Sequence, residues 1–163
     1  MNKEAVIREI RKGEETKVCQ LVIECFNEFV APDYGNEGVK EFLKYVNPDS
    51  MQERLEHGHF AFVAVVDKQI TGVIEVRSNN HISLLFVKKE CQGRGTATKL
   101  LELAIRKCRL AKYDIDYIEV NSSPYAVKIY ERLGFIKTNT GQLVNGIRFI
   151  PMKLQLPNIK FPV

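Results

Sequence analysis

The chain has 163 residues, 45% of them hydrophobic and 27% charged, the balance of one folded domain with a full core. No apolar run is long enough to span a bilayer, and Met1-Asn2-Lys3-Glu4 opens no leader-like apolar segment, so the cytoplasm is the expected compartment. A net charge of +4 suits an anionic ligand but is too small and scattered to indicate nucleic acid.

Ala5 to Ile10 reads as a first strand, with Arg8 turned outward, and Gly13 breaks it. Glu14 to Val30 carries Val18, Leu21, Val22, Cys25, Phe26 and Phe29 on one stripe, the pattern of a helix. Ala31-Pro32-Asp33-Tyr34-Gly35 stops it, and Val39 to Val46 predicts a shorter helix. Asn47-Pro48-Asp49-Ser50 ends that one, with Ser50 placed to cap a brief helical turn over residues 51–56.

Phe60 to Val66 is almost wholly apolar, as in a strand covered on both faces. Asp67-Lys68-Gln69 turns it into Ile70 to Arg77, and Ser78-Asn79-Asn80 turns again into His81 to Val87, which predicts an antiparallel meander. A polar loop follows, ending in Gln92-Gly93-Arg94-Gly95. From Thr96 onward Ala97, Leu100, Leu101, Ala104, Ile105 and Cys108 recur at helical spacing. Ile115 to Val120 is the next strand, and Ser122-Ser123-Pro124 opens a helix that Gly134 ends. Phe135 to Thr138 and Ile147 to Leu156 form a terminal hairpin joined across Thr140-Gly141, and the tail holding Pro157 and Pro162 is loosely held. The whole is one domain over residues 1–163, without repeats or linkers. Its class is α/β (α+β): three layers around a mixed, mostly antiparallel sheet of about seven strands flanked by about four helices.

The loop before Thr96 is an anion site by construction. First-turn N–H groups lack partners within the helix, its dipole favours negative charge, and Gly93 and Gly95 permit close approach of the backbone. Lys88, Lys89, Arg94 and Lys99 add diffuse positive charge. A Walker loop is absent, and a dinucleotide fingerprint fails where Thr98 stands in place of a third glycine. The four cysteines, Cys19, Cys25, Cys91 and Cys108, show neither C-x-x-C spacing nor paired histidines, so no zinc site or disulfide framework is indicated.

Gln92-x-x-Gly95-x-Ala97 after an apolar strand resembles the coenzyme A pyrophosphate signature of the GCN5-related N-acetyltransferase (GNAT) family. Tyr130-Glu131-Arg132-Leu133-Gly134-Phe135, about 35 residues on, resembles the segment that closes the cofactor site in the same family. The element order agrees with that family. The resemblance implies an acetyl-CoA-dependent N-acetyltransferase that moves acetyl directly to a primary amine in a ternary complex. The acceptor would be a small-molecule or peptide amine, with no nucleic acid and no membrane as partner, and homodimers are common in the family. The alternative is a non-catalytic acyl-CoA-binding or sensing module of the same fold.

Carried over residue by residue, Gln92, Gly93, Arg94, Gly95, Thr96, Ala97 and Thr98 would hold the pyrophosphate. Phe86 and Val87 would offer backbone groups to the pantetheine arm, the Val87 N–H polarising the thioester. Tyr130 would give a proton to the departing thiolate, a role suited to a phenol with a pKa near ~10. For the base the resemblance leaves His81 and Glu119, with Glu75 a third candidate and ordered water a fourth. Where relatives carry asparagine this chain has Ser123, with Asn121 two residues earlier as a substitute contact. Tyr34, Asn36 and Glu37 are candidate acceptor contacts in the loop between the first two helices. Cys91 as an acyl-carrying nucleophile is the ping-pong variant, disfavoured because no histidine lies near it in sequence to activate it.

Overall fold

The computed structural model describes residues 3–78 and 80–157. The Asn79 position of the expected turn, Met1 and Asn2, and the tail with Pro162 lie outside the described residues. In chain order the elements are β1 Val6–Glu9, α1 Glu15–Cys25, α2 Asn36–Tyr45, α3 Pro48–Glu56, β2 Phe60–Val66, β3 Gln69–Arg77 and β4 His81–Val87. There follow α4 Thr96–Ala111, β5 Tyr117–Ser122, α5 Val127–Arg132, β6 Ile136–Lys137, β7 Gln142–Val144 and β8 Ile147–Gln155.

The strands form one eight-stranded sheet in the order β1-β2-β3-β4-β5-β8-β6, with β7 paired to β8. Every pairing is antiparallel except β4 with β5. Two apolar clusters show which helix covers which face. Leu100, Leu101, Ala104 and Cys108 of α4 and Val127 and Tyr130 of α5 pack on one side with Ile74, Ile82, Ile118 and Met152. Val18, Leu21, Val22 and Cys25 of α1 and Met51 of α3 pack on the other with Val63, Val73 and Leu84. The three-layer α/β expectation holds, with one more strand and one more helix than the pattern predicts.

Several boundaries move for local reasons. The first long helix is α-helical only to Cys25 and then widens into a π turn, Phe26–Val30, in which the Ala31 N–H reaches back five residues to the Phe26 carbonyl. Helix α2 starts at Asn36, three residues early, because Gly35 adopts an extended cap conformation (φ −77°, ψ 174°). Asn36 and Glu37 therefore sit in its first turn rather than in a loop. The expected turn after it is a full helix, α3, capped by Asn47 rather than Ser50. The Asn47 carboxamide oxygen accepts the Ser50 N–H at 2.9 Å, and Pro48 occupies the position where a missing N–H costs nothing.

Near the C-terminus, β5 runs two residues later than predicted. The Ser123–Ala126 segment is a turn, so α5 is only six residues long. The stretch across Thr140-Gly141 is not a simple hairpin connection. The short strand β7 follows it and turns into β8 through Asn145 (φ 51°) and Gly146 (φ 78°), left-handed positions that an Asn-Gly pair suits.

Candidate active site

The site begins with a break in the sheet. Strands β4 and β5 pair only at His81–Glu119 and Ile82–Val120. The cause is a bulge opposite Glu75 and Val76: Glu75 faces Leu84 while Val76 faces Ile82, so Ser83 is the extra residue. The bulge re-phases the strand. Beyond it, the Lys88 N–H bonds the Thr71 carbonyl at 2.8 Å, and antiparallel alternation then gives the backbone groups of Phe86 and Leu84 to β3. Those of Leu85 and Val87 point the opposite way, into the gap left by β5. This corrects the expectation for Phe86, whose backbone is spent on the sheet, and adds Leu85.

A cavity of about 390 Å³ occupies this gap. Of the residues expected at the site, Phe86, Val87, Gln92, Gly93, Gly95, Thr96, Ala97, Thr98, Asn121, Ser123 and Tyr130 line it, as do Tyr34 and Cys91. Arg94, His81, Glu119, Glu75, Asn36 and Glu37 do not. His81 and Glu119 face each other where the strands still pair, at the closed end of the gap. Burial, with the charge of Arg77, pulls the His81 imidazole down to about 4, so it is neutral and weakly basic at ordinary pH.

At the open end lies the loop expected to hold an anion. Gly93 (φ 75°) and Gly95 (φ 78°) adopt left-handed backbone, and a Cβ placed on either would meet nothing within 4 Å. Gly95 caps α4, whose first turn carries no acidic residue, and the first intrahelical bond to it is from the Lys99 N–H to the Gly95 carbonyl at 3.1 Å. The first-turn N–H groups of Thr96, Ala97 and Thr98 precede the first intrahelical bond and have no acceptor within the helix. The Gln92 side chain does a different job: it donates to the Val87 carbonyl at 3.0 Å and ties the loop to the end of β4.

Tyr130 is buried against Phe135, ring edge to face with centroids 5.2 Å apart, and burial pushes its phenol above its ordinary value. Its hydroxyl has no hydrogen-bond partner among the described residues. Ser123 is committed locally, its hydroxyl accepting the Ala126 N–H at 3.2 Å. The Asn121 side chain makes no hydrogen bond among the described residues. Cys91 is half-buried, whereas Cys19, Cys25 and Cys108 are buried and their thiols are pushed up to about 11 by desolvation.

Of the opposite wall the sequence offered only Tyr34. The π turn and the segment after it bring Phe29, Val30 and Tyr34 to the cavity, α2 brings Phe42, and the turn before α5 brings Tyr125. The cavity thus passes through the sheet, with the α4–α5 face at one end and the α1–α2 face at the other. Ser83 lines it between them, and its hydroxyl donates to Glu75 Oε2 at 2.8 Å. Glu75 itself is wholly buried. Its carboxylate accepts from Arg54 Nε and Nη2 at 3.0 Å each, from the Tyr45 hydroxyl at 3.0 Å and from His59 Nδ1 at 3.1 Å. Burial alone would raise its pKa, but the Arg54 hydrogen bonds and charge, with Ser83 and His59, hold it below the usual carboxylate range. Such a carboxylate anchors α2 and α3 to the sheet and is a poor base.

Among the described residues no helix is long and apolar enough to cross a membrane, and no group of three or more His, Cys, Asp or Glu side chains gathers as a metal site. Residues 30–156 match the family described as the acetyltransferase (GNAT) domain. No curated protein matches the chain. Among solved structures it is similar to a GCN5-related N-acetyltransferase from Rhodopseudomonas palustris (TM-score 0.77, 17% identity, 96% of this chain and 98% of that one). It is also similar to the PaiA N-acetyltransferase of Thermoplasma acidophilum solved with coenzyme A (0.74, 16%, 94% and 99%). A third is an aminoglycoside 6′-N-acetyltransferase, also solved with coenzyme A (0.66, 14%, 97% and 99%).

Proposed function

Because the chain belongs to the acetyltransferase (GNAT) family, we propose that it transfers acetyl from acetyl-CoA directly to a primary amine, both reactants meeting in the gap between β4 and β5. The observation that carries this reading is the junction of that gap with the bare N-terminus of α4. One end supplies N–H donors for a diphosphate, and the gap supplies unpaired strand backbone for an extended amide-bearing arm. Two relatives of the same fold were solved with coenzyme A, which supports the choice of anion.

Acetyl-CoA would supply an already reactive acetyl thioester, so the protein's task is positioning and charge management. Gly93 and Gly95 let the backbone close on the diphosphate, and the N–H groups of Thr96, Ala97 and Thr98 bind it. Leu85 and Val87 offer backbone groups to the arm. The Val87 carbonyl is already taken by Gln92 and by the Cys25 thiol at 3.6 Å, which leaves the Val87 N–H to polarise the acetyl oxygen. Tyr130 holds its proton tightly, since a phenolate among apolar neighbours is costly. Its role is to donate a hydrogen bond to the sulfur as negative charge collects there, not to surrender the proton outright.

We do not give proton removal to His81 or Glu119, which lie at the closed end of the gap. An apolar cavity itself favours the neutral form of an entering amine, and ordered water would carry the proton away. Titration calorimetry with acetyl-CoA and a non-reactive desulfo analogue tests the first step, and thiol release with a panel of amines tests the second. No heat with either nucleotide would refute the reading. Binding without turnover on any amine would identify a sensing module instead.

A further inference from the structure

We infer that the acceptor is a small apolar amine carrying a single charge, best an arylalkyl monoamine, and not a polycation. The inference rests on the acetyl-transfer reading and concerns the α1–α2 end of the same cavity. That end is a box of aromatic side chains: Phe29, Tyr34, Phe42, Phe86 and Tyr125. The rings are held by one another. Phe29 stacks on Tyr125 with centroids 5.0 Å apart and planes 15° from parallel. Phe42 stacks on buried Phe26 at 3.9 Å and meets Phe86 edge to face at 6.3 Å, while Tyr34 is edge-on to Phe26 at 5.5 Å. Walls that brace each other are pre-organised, so an apolar guest costs little reorganisation on entry.

Charge decides against the other amine classes. Among the described residues no carboxylate lines the cavity, and the one charged lining residue is a cation, Arg132. The carboxylates on the segment that brings Phe29 and Tyr34, Glu28 and Asp33, are outside the lining, and Glu28 is paired with Lys89 at 2.8 Å. A polyamine or aminoglycoside carries several ammonium groups, and each one buried here without an anion would be strongly disfavoured. A monoamine escapes that penalty by shedding its only proton, which attack on the thioester requires in any case. Size agrees: about 390 Å³ must hold both reacting ends, near the lower limit of ligand pockets. Ser83 lines the cavity, and its hydroxyl, which donates to Glu75, keeps acceptor capacity for an N–H of the entering amine.

The test is a comparison of 2-phenylethylamine, tryptamine, spermidine and kanamycin as acceptors, by thiol release at saturating acetyl-CoA. The same amines are titrated calorimetrically into the protein saturated with coenzyme A. An aromatic amine exceeding spermidine and kanamycin by about a hundredfold in kcat/KM, or in affinity where turnover is slow, bears the inference out. Phe29→Ser and Tyr34→Ser should each raise the KM for the aromatic amine about tenfold, the scale of a lost apolar contact, with acetyl-CoA affinity unchanged within twofold. A polycation preferred over the aromatic amines, or aromatic amines that neither bind nor react while acetyl-CoA binds, overturns the acceptor class and leaves acetyl-CoA use standing. Failure of acetyl-CoA itself to bind would instead strike the underlying reading.

Discussion

Glu75→Gln should cost about 3 kcal/mol of folding stability, because it leaves a buried guanidinium without its anion. Glu75 has no exposed surface and accepts two hydrogen bonds from Arg54, whose side chain is only 13% exposed. A carboxamide keeps one acceptor and turns its amino group toward donors from Arg54, Tyr45, His59 or Ser83. Removing one partner of a buried pair costs ~3–5 kcal/mol. The low end applies here because Arg54 retains its bond to the Tyr45 carbonyl at 2.6 Å and its stacking on the Tyr45 ring at 3.7 Å. At ~2–4 °C per kcal/mol for a chain of this size, Tm should fall by about 10 °C. Urea denaturation gives the number directly, provided the slope m is unchanged. The double variant Glu75→Leu with Arg54→Leu should recover most of the loss, since neither charge is then left alone. Because α2 and Ser83 hang on this carboxylate, acceptor KM should rise while acetyl-CoA affinity stays. A loss under ~1 kcal/mol for Glu75→Gln would refute the account of the hub.

Tyr130→Phe should lower kcat at least tenfold with acetyl-CoA affinity held, and the wild-type rate should show no alkaline limb below pH ~10, since the phenol sits above its ordinary value. An alkaline limb abolished by Tyr130→Phe would restore full proton donation. Stability should decline in two stages on acidification. The His81 folded pKa is depressed to about 4, so the unfolded chain alone takes up that proton as pH falls from ~6.5. Glu14, held down to about 2 first by its hydrogen bonds with Arg8, loses its contribution as pH falls below the ordinary carboxylate range. His81→Asn should flatten only the first stage of urea-midpoint against pH. At pH ~8 an alkylating reagent should label one thiol in the native protein, Cys91, and four after denaturation, with acetyl-CoA protecting Cys91; a second native thiol labelled as fast would contradict the burial. Gly38→Ala should destabilise by ~1–3 kcal/mol despite better helix propensity, because its Cβ would land on the Gly146 carbonyl where α2 meets the β7–β8 turn, and calorimetric Tm checks the sign.

The local grammar of this chain was readable without coordinates. Strand β2 begins and ends where its apolar run does, β4 begins where the Ser78-Asn79-Asn80 turn signal ends, and α4 begins where helical spacing starts after Gly95. Each depends on residues a few positions apart, which a sequence shows directly. The proposed anion site belongs to the same class, since free N–H groups follow from any helix start and the glycines stand beside it. Even the Asn145-Gly146 turn has a readable local signature, as strong as that of Thr140-Gly141.

Whatever joins distant segments was decided only in three dimensions. Nothing in the local sequence marks Ser83, yet the bulge there ends the β4–β5 ladder and opens the cavity. Glu75 stood between isoleucine and valine much as Glu119 does. Only the packing of Tyr45, Arg54 and His59 against it turns one carboxylate into a buried hub and leaves the other at the closed end of the gap. The aromatic box draws on a π turn, on α2, on β4 and on the turn before α5, segments with no sequence relation to one another. Local sequence sets periodicity and caps, whereas the site is set by register and packing between strands and helices far apart in the chain.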